Sequence, residues 1–313
     1  MEFVSAEKPT LYFIGVTTSK SSIMKVFPRW AKEVLGLGDV EIKGIDLPLH
    51  APAQMYRETV EFIKNDLHSE GALVTTHKLD LYNACKGMFE YVDPFTLMLG
   101  EISSISKKDG KLCGHAKDPI SSGLALECFI PENHWKDTGA DVLLFGAGGS
   151  SLAMSMYLTQ EKWEKNIPKR IIIANRSIPR LEEAAKKLAP FACRTKFEFI
   201  HSPEPTDNDR LLASIKPCSL IVNATGLGKD APGSPITDAA IFPRNSFVWE
   251  INYRGELDFM HQAERRKDSD GLFIEDGWIY FIFGWTQVIA EVFHIPIEGE
   301  TLRQCERIAL LAR

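Results

Sequence analysis

A glycine-rich segment at positions 146–151 is the strongest chemical signal in the sequence. It follows an apolar stretch, Val142 to Phe145, and precedes a run with helical periodicity. Glycines in such a turn let the backbone approach a pyrophosphate, and the helix N-terminus adds unpaired N–H groups and a positive dipole end. The spacing predicts a dinucleotide-binding loop, with a tight turn that binds nothing as the alternative. The segment consists of Gly146, Ala147, Gly148, Gly149, Ser150 and Ser151.

The residues after the next predicted strand indicate which dinucleotide binds. An NAD site usually places a carboxylate there for the ribose hydroxyls. This chain instead has Asn175, Arg176 and Ser177, followed closely by Arg180. Guanidinium groups suit a phosphate, so the pattern favours NADP over NAD. The alternative is that both arginines are solvated charges at the start of a helix.

Lys78 and Asp118 are the candidates for proton transfer. Lys78 follows a predicted strand that ends near Thr75, and Asp118 follows a predicted hairpin. Open α/β sheets place ligands at such loops, and a lysine beside a carboxylate can exchange a proton with a substrate hydroxyl. The alternative is structural, because Asp118-Pro119 makes a good helix start and Lys78 opens another helix.

Two further loops carry polar groups that fit this chemistry. The hydroxyls of the segment 18–22 lie between the first strand and the first helix, where they either hold a carboxylate or cap the helix. The segment 223–228, with Asn223, Thr225 and Gly226, follows a later strand and fits the nicotinamide side of a crevice. A simple turn is the alternative for this second loop.

The elements that must position these residues alternate between β-rich and amphipathic runs, a pattern typical of parallel sheets covered by helices. Residues 11–16, 40–49 and 71–76 are predicted strands. Residues 24–36 and 53–67 are predicted helices, and we expect Pro28 to confine the first of these helices to its first turns. These elements predict a small α/β domain.

A second set of elements begins after a predicted hairpin. Asp109-Gly110 between alternating residues is a strong hairpin signal. We interpret residues 131–140 as a polar connector. The chain from Asp141 to Gly226 then gives a βαβαβ progression, which predicts a Rossmann-type half. One more strand, a helix, a short strand and two long helices from Trp278 complete the chain.

Composition limits the function classes. The 313 residues are 44% hydrophobic and 25% charged, which indicates a folded, water-soluble protein of two domains. A net charge of −6 without a basic stripe disfavours nucleic acid and anionic membranes as partners. No apolar stretch of membrane-spanning length and no leader pattern is present, so we expect a cytoplasmic protein. The six cysteines show no zinc spacing, so we expect reduced thiols and no metal.

In this order, these segments resemble the shikimate dehydrogenase family over nearly the whole chain. Ser19-Lys20-Ser21-Ser22 is similar to its Ser-x-Ser-Pro element, which implies that Ser19 and Ser21 bind the substrate carboxylate. Lys78 falls at the family's catalytic lysine and Asp118 at its partner. The glycine loop, the Asn175-Arg176-Ser177 clamp and the Asn223-Ala224-Thr225 turn match its NADP-binding elements.

The resemblance also assigns the remaining candidates and the architecture. It implies that Thr75, Ser103, Tyr253 and Gln287 help to position the substrate. It further implies an α/β substrate-binding and catalytic domain over residues 1–121 and a Rossmann-type NADP-binding domain over 122–276. C-terminal helices over 277–313 return to the first domain.

The chain departs from the family pattern where the substrate ring is read. The asparagine of the lysine element is Leu73 or absent, and Asn-Thr before the aspartate has become Ala116-Lys117. The asparagine that normally holds a ring hydroxyl is replaced by Ser103. Additional aromatic residues lie between Asp276 and Gln287. A missing amide partner can cost a polyol ligand about 1–3 kcal/mol, enough to change the preferred cyclitol.

The sequence therefore predicts an NADP-dependent oxidoreductase that interconverts 3-dehydroshikimate and shikimate or a related carboxylated cyclitol. Lys78 exchanges the hydroxyl proton and Asp118 orients it, and which of the two is the formal base stays open because they are coupled. The alternatives are a paralogue acting on quinate, aminoshikimate or another cyclitol, a non-catalytic NADPH-binding regulator, and, less favoured, a one-carbon folate dehydrogenase. The partner is a small-molecule substrate, and we expect a monomer or a homodimer.

Overall fold

The computed structural model describes residues 3–229 and 231–312 and divides the chain into two compact units. The first unit contains Met1–Lys117 and Ile282–Arg313, and the second contains Asp118–Phe281. Contacts therefore divide the chain after Lys117 and Phe281, whereas the sequence placed the boundaries after residues 121 and 276.

The strands of the described residues fall into two groups of six. Those of the first unit are β1 (Thr10–Gly15), β2 (Glu41–Asp46), β3 (Ser69–Val74), β4 (Tyr91–Val92), β5 (Ser104–Lys108) and β6 (Lys111–His115). Those of the second unit are β7 (Asp141–Phe145), β8 (Arg170–Asn175), β9 (Lys196–His201), β10 (Leu220–Asn223), β11 (Phe247–Glu250) and β12 (Phe273–Glu275).

The helices alternate with these strands, as the pattern predicts. The helices up to the end of β6 are α1 (Ile23–Arg29), α2 (Ala53–Asn65), α3 (Lys78–Cys85) and α4 (Pro94–Leu99). The helices of the Rossmann region are α5 (Asp118–Glu127), α6 (His134–Thr138), α7 (Gly149–Leu158), α8 (Ile178–Leu188), α9 (Pro205–Ser214), α10 (Asp258–Glu264) and α11 (Lys267–Asp270). The last two helices are α12 (Trp278–Phe293) and α13 (Gly299–Leu310).

The sheet of the first unit is mixed, with the strand order β2-β1-β3-β5-β6-β4. β1 pairs in parallel with β2 and β3, while β5 is antiparallel to β3 and to β6. The β5–β6 hairpin confirms the Asp109-Gly110 prediction, since Lys108 pairs with Lys111. Asp109 and Gly110 have φ angles of 51° and 72°, which a two-residue type I′ turn requires.

Pro28 does not end the first helix. It lies in the last turn of α1, and the chain continues as a π-helical turn over Trp30–Val34. Proline lacks an N–H and cannot complete the regular α-helical ladder, and a locally wider turn accommodates this. Trp30 is fully buried and its indole N–H donates to the Cys305 carbonyl of α13 at 2.8 Å, so tertiary packing holds the segment helical.

The sheet of the second unit is entirely parallel, with the strand order β12-β11-β10-β7-β8-β9. The strand order reverses between β7 and β10, which is the doubly wound arrangement with its ligand crevice at the switch point. β7 is buried along its whole length, as the apolar run Val142 to Phe145 predicts for a central parallel strand. The α/β fold class and the Rossmann-type half are confirmed.

The predicted connector at 131–140 is wrong in part, because it contains α6. Trp135 is only 5% exposed, and the Nε2 of His134 lies 2.8 Å from the carbonyl oxygen of Cys218. The oxygen is an acceptor, so Nε2 carries the proton and donates. Buried aromatic residues thus stabilise a short helix in a segment whose polar composition indicated a loop.

None of the described helices combines the length and apolar character that a bilayer crossing requires. Residues 3–229 and 231–312 also contain no group of three His, Cys, Asp or Glu side chains placed to hold a metal ion.

Candidate active site

The glycine-rich loop of the second unit joins β7 to α7 at the switch point of the sheet. Gly146 has a φ of 102°, and a Cβ there would lie 2.7 Å from the Ala224 carbonyl oxygen. Only glycine fits this close approach. Gly148 differs, because a Cβ on it would meet nothing within 4 Å. Its side of the loop is open, at the N-terminus of a ten-residue helix.

The rest of this loop is tied to the fold. The Ser151 hydroxyl donates to the Gly146 carbonyl at 2.6 Å, and the Gly146 N–H donates to the Ala174 carbonyl at the end of β8. Ala147 is buried, whereas Gly149 and Ser150 are half-buried at the start of α7. The loop is therefore a backbone cradle of fixed shape.

The turn after β10 is the second wall of this crevice. The Asn223 Oδ1 accepts from the Thr225 N–H at 3.1 Å and from its hydroxyl at 2.6 Å. The Thr225 hydroxyl oxygen accepts in turn from the Leu227 N–H at 3.2 Å. Gly226 is exposed. The structure thus brings the predicted turn residues against Gly146 of the glycine-rich loop.

The predicted phosphate clamp follows β8. Asn175 is half-buried and its side-chain amide donates to the Ser177 carbonyl at 3.2 Å. Arg176 and Arg180 are exposed, and Arg180 lies 3.9 Å from Glu183, one turn along α8. An exposed ion pair of this length contributes little, so both guanidinium groups are accessible to an anion.

Lys78 lies at the first position of α3 in the first unit. The residue before it, His77, is buried, with its Nε2 3.2 Å and 3.1 Å from the carbonyl oxygens of Gly15 and Leu47. Nε2 therefore carries the proton, and Nδ1 accepts from the Tyr56 hydroxyl at 3.0 Å. These hydrogen bonds join the turn before Lys78 to Gly15, Leu47 and Tyr56, which lie in three separate segments of the chain.

The hydroxyl turn and Thr75 meet around Gly15. A Cβ on Gly15 would lie 3.1 Å from both the Thr18 methyl and the Thr75 hydroxyl. Ser19 is exposed and Ser21 is half-buried in this turn, and neither is assigned as a side-chain cap of α1. The Thr75 hydroxyl donates to the Ile14 carbonyl at 3.2 Å. The capping alternative for the serines is therefore not what the structure shows at α1.

Ser103 is buried and its hydroxyl is already engaged. It donates to the His115 carbonyl at 3.3 Å and accepts from the Lys117 N–H at 2.7 Å. Ser103 consequently holds the backbone that leads directly into Asp118, which is half-buried at the start of α5.

Lys117 pairs with Glu291 of α12, and the Nε2 of His115 lies 3.4 Å from the same carboxylate. Burial works to raise the pKa of Glu291, but Lys117 and His115 outweigh it and hold that pKa below its usual value. Burial lowers the pKa of His115, against the attraction of Glu291.

Gln287 and Tyr253 lie in aromatic surroundings, each within its own unit. Gln287 is half-buried on α12, which packs on β1 through the Trp285 and Phe13 rings at 4.9 Å. The Tyr253 ring lies 5.5 Å from that of Trp278 and 4.8 Å from that of Phe281.

The sequence analysis missed Glu291 as the partner of Lys117 and the buried Glu250 at the end of β11. Each carried a signal, since Glu250 and Glu291 are isolated acids within apolar runs. Charged residues are rarely buried without a partner, so such positions indicate polar networks.

Comparisons with known proteins agree with the fold and the motifs. No family model matches the chain. The chain is 30% identical over 147 residues to the shikimate dehydrogenase (NADP(+)) of Magnetococcus marinus, a match covering 46% of each protein. It is 24% identical over 235 residues to that of Streptococcus thermophilus, covering 74% of this chain and 76% of the relative. The first of these matches spans about half of the relative's length.

Solved structures match over almost the whole chain. Shikimate dehydrogenase from Aquifex aeolicus has a TM-score of 0.70 at 19% identity, covering 97% of this chain and 100% of that one. Quinate dehydrogenase from Corynebacterium glutamicum in complex with NAD has a TM-score of 0.72 at 17% identity, with coverages of 97% and 99%. The 5-ketofructose reductase of a Gluconobacter strain has a TM-score of 0.69 at 15% identity, with coverages of 96% and 98%.

The chain is similar to shikimate dehydrogenases in sequence and in fold. The resemblance that the motifs indicated is thereby confirmed. Proteins with this fold carry three different substrate names among the structures above, and the fold does not by itself select among them. For this chain, the substrate must be argued from the residues of the first unit.

Proposed function

We propose that this protein is an NADP-dependent oxidoreductase that interconverts a secondary ring alcohol and its ketone in a carboxylated cyclitol, with shikimate and 3-dehydroshikimate as the pair. The observation that carries the proposal is that each sheet presents its candidate residues at the carboxyl ends of parallel strands. Lys78 and Thr75 follow β3 in the first unit, and the glycine-rich loop follows β7 in the second. Ligands of open α/β sheets bind at such ends.

The residues of the second unit fit NADP. The cradle at Gly146 excludes a side chain, the open side at Gly148 leaves room for a pyrophosphate, and Arg176 and Arg180 are accessible to a 2′-phosphate. The residues proposed to hold the cofactor are Gly146, Ala147, Gly148, Gly149, Ser150, Asn175, Arg176, Ser177, Arg180, Asn223, Thr225 and Gly226. Bound NADP supplies the acceptor or donor of the hydride.

Lys78 and Asp118 are proposed to carry the proton of the substrate hydroxyl. His77 fixes the turn before Lys78, and Ser103 holds the backbone before Asp118. During oxidation the O–H proton leaves the substrate for this pair, and during reduction the pair returns it. Their protonation is a property of the pair, so neither is assigned alone as the base.

The substrate carboxylate is proposed to bind Ser19 and Ser21, with Thr75, Gln287 and Tyr253 as further positioning groups. Ser103 contributes through the Lys117 backbone, because both of its bonds go to main-chain groups. We assign substrate binding and catalysis to residues 1–121, NADP binding to 122–276, and support of the substrate side to 277–313.

A second candidate, a paralogue acting on quinate, aminoshikimate or another cyclitol, is favoured by one observation. Leu73 is 5% exposed on β3, and Ser103, at the position of the family's ring-reading asparagine, is engaged with main-chain groups. At these two positions a substrate hydroxyl that would bind an amide in the family meets either the apolar Leu73 or a serine hydroxyl that is already hydrogen-bonded to the main chain.

The experiment is NADPH formation from NADP+ with shikimate, quinate and aminoshikimate in parallel. Lys78→Ala should lower kcat about 10²- to 10⁴-fold, because a positioned proton carrier contributes that much. Lys86→Ala, on an exposed lysine just after α3, is the matched control and should retain turnover.

Turnover of shikimate that survives Lys78→Ala would contradict the assigned role of Lys78. Turnover of quinate or aminoshikimate alone would favour the paralogue. Tight NADPH binding without turnover of any cyclitol would indicate a regulator instead.

We also propose a cytoplasmic monomer or homodimer. None of the six cysteines, all of which lie in the described residues, forms a disulfide, which fits a reducing compartment.

A further inference from the structure

Glu250 is a fully buried carboxylate at the carboxyl end of β11, in the second unit. One of its oxygens accepts from the Asn223 side-chain amide at 2.6 Å. The other accepts from the Asn252 side-chain amide at 2.6 Å and from the Asn252 N–H at 2.9 Å. Three N–H groups therefore donate to one carboxylate, and the carboxylate acts only as an acceptor in these contacts.

The contact with Asn223 reaches the turn after β10. With its amide nitrogen on Glu250, Asn223 presents its oxygen to the N–H and hydroxyl of Thr225. Asn252 supports the same turn, since its amide also lies 3.4 Å from the Thr225 carbonyl. A flip of the Asn223 amide would place a donor against both Thr225 groups and move the turn relative to Gly146.

We propose that Glu250 is a positioning residue for the nicotinamide half of NADP: its carboxylate fixes the Asn223 amide and thereby the Thr225–Gly226 turn. The inference rests on the proposed NADP-dependent function. Glu250 touches neither cofactor nor substrate in this scheme and acts through Asn223.

The negative charge matters more than the shape of the side chain. A glutamine at this position would direct an N–H at Asn223 or at Asn252, where only donors are waiting, and a protonated carboxyl group would do the same. Burial raises the pKa of Glu250 to about 7, while hydrogen bonds from Asn252 and Asn223 and the charge of Lys229 lower it. Glu275 and Asp276, at the end of β12, are the acids on the neighbouring strand.

The test compares two ligands on the intact protein by fluorescence or calorimetric titration. NADPH carries both halves of the cofactor, whereas adenosine 2′,5′-bisphosphate carries the 2′-phosphate and adenine side without nicotinamide. Glu250→Gln should weaken NADPH about tenfold and leave the bisphosphate within twofold, since one charge-assisted contact is lost on one side only. Glu198→Gln, on the edge strand β9, is the matched control and should change neither affinity.

A second measurement follows the pH dependence of the same two affinities. Relative to the same ratio in Glu250→Gln, the ratio of NADPH affinity to bisphosphate affinity in the unaltered protein should fall as the pH drops through about 7, because Glu250 becomes protonated. The 2′-phosphate titrates in both ligands, but the 5′-phosphate of the bisphosphate also titrates and the pyrophosphate of NADPH does not. Glu250→Gln meets the same ligand titrations, so dividing the two ratios removes them.

The outcomes separate the inference from the function beneath it. The same pH dependence of the ratio in the unaltered protein and in Glu250→Gln, or an equal loss of both ligands in Glu250→Gln, would overturn the positioning role and leave NADP binding intact. Failure of the unaltered protein to bind either ligand would overturn the proposed NADP dependence and the inference together.

Discussion

The two units build their candidate sites from different materials. The crevice of the second unit consists of backbone and neutral amides arranged around Gly146 and Asn223, with one buried carboxylate behind them. In the first unit, Lys78 instead follows β3, and Lys117 follows β6 and pairs with Glu291. A cradle made of backbone tolerates substitution poorly, whereas a pair of charges depends on both partners being present.

The largest expected effect would break the backbone cradle. Gly146→Ala forces an alanine to a φ of 102° with its Cβ 2.7 Å from the Ala224 carbonyl oxygen. We expect a loss of about 3 kcal/mol in the free energy of unfolding and of most NADPH affinity. Urea unfolding and NADPH titration measure both.

Gly148→Ala is the matched control for the cradle. Its φ is −95° and its Cβ would meet no atom within 4 Å, so stability should stay within about 0.5 kcal/mol of the unaltered protein. Equal losses in the two variants would show that the close approach of Gly146 to Ala224 is not what the fold requires.

The next effect concerns the Lys117–Glu291 pair. Glu291→Gln removes the negative charge that pairs with the half-buried Lys117, and we expect a loss of about 2 kcal/mol in the free energy of unfolding. Glu300→Gln, on an exposed glutamate of α13, should change stability by less than about 0.5 kcal/mol. An unchanged melting temperature for Glu291→Gln would show that Glu291 does not stabilise the first unit.

The pH dependence of stability sharpens the comparison. The raised pKa of Glu250 means that the folded state binds a proton between pH 4.5 and about 7 that the unfolded state does not. Its ionised form is therefore a cost to folding. Relative to Glu250→Gln, the unaltered protein should gain up to about 1.4 kcal/mol of stability per pH unit as the pH falls below 7.

His115 and His134 act in the opposite direction, because burial lowers their pKa values and their stability is lost as the pH falls. Their contribution cancels in the difference between the two proteins. Denaturant unfolding from pH 5.5 to 8 measures that difference, and a constant value would contradict the assigned titration of Glu250. The negative charge on Glu250, which we propose positions the Thr225–Gly226 turn, therefore lowers the stability of the folded state.

The smallest effect concerns the choice of dinucleotide. Arg176 is exposed, so its contact with a 2′-phosphate is screened by solvent. Arg176→Ala should narrow the preference for NADPH over NADH by about tenfold or less, that is, by about 1 kcal/mol. Arg210→Ala, on an exposed arginine of α9, is the control. An unchanged ratio of NADPH affinity to NADH affinity in Arg176→Ala would show that Arg176 is a solvated charge that does not select the dinucleotide.

Local signals carried much of the fold. The Asp109-Gly110 turn, the apolar run of β7 and the glycine-rich loop depend on residues adjacent in sequence, and the structure contains all three. The prediction at Pro28 failed to anticipate the π-helical continuation, because the buried Trp30 and its bond to Cys305 stabilise it from far along the chain. The polar composition of residues 131–140 likewise gave no indication that Trp135 is buried and stabilises a short helix there.

Short-range periodicity and spacing encode the alternation of elements, the Rossmann-type half, the glycine-rich loop and the resemblance to the shikimate dehydrogenases, so all of these could be predicted from the sequence. The partners of the charged and polar side chains come from the tertiary fold. Lys117 finds Glu291, His77 finds Gly15 and Leu47, and Glu250 finds two asparagines. Such pairings depend on how strands and helices are brought together, since the free energy of a buried charge is set by neighbours that sequence spacing does not specify.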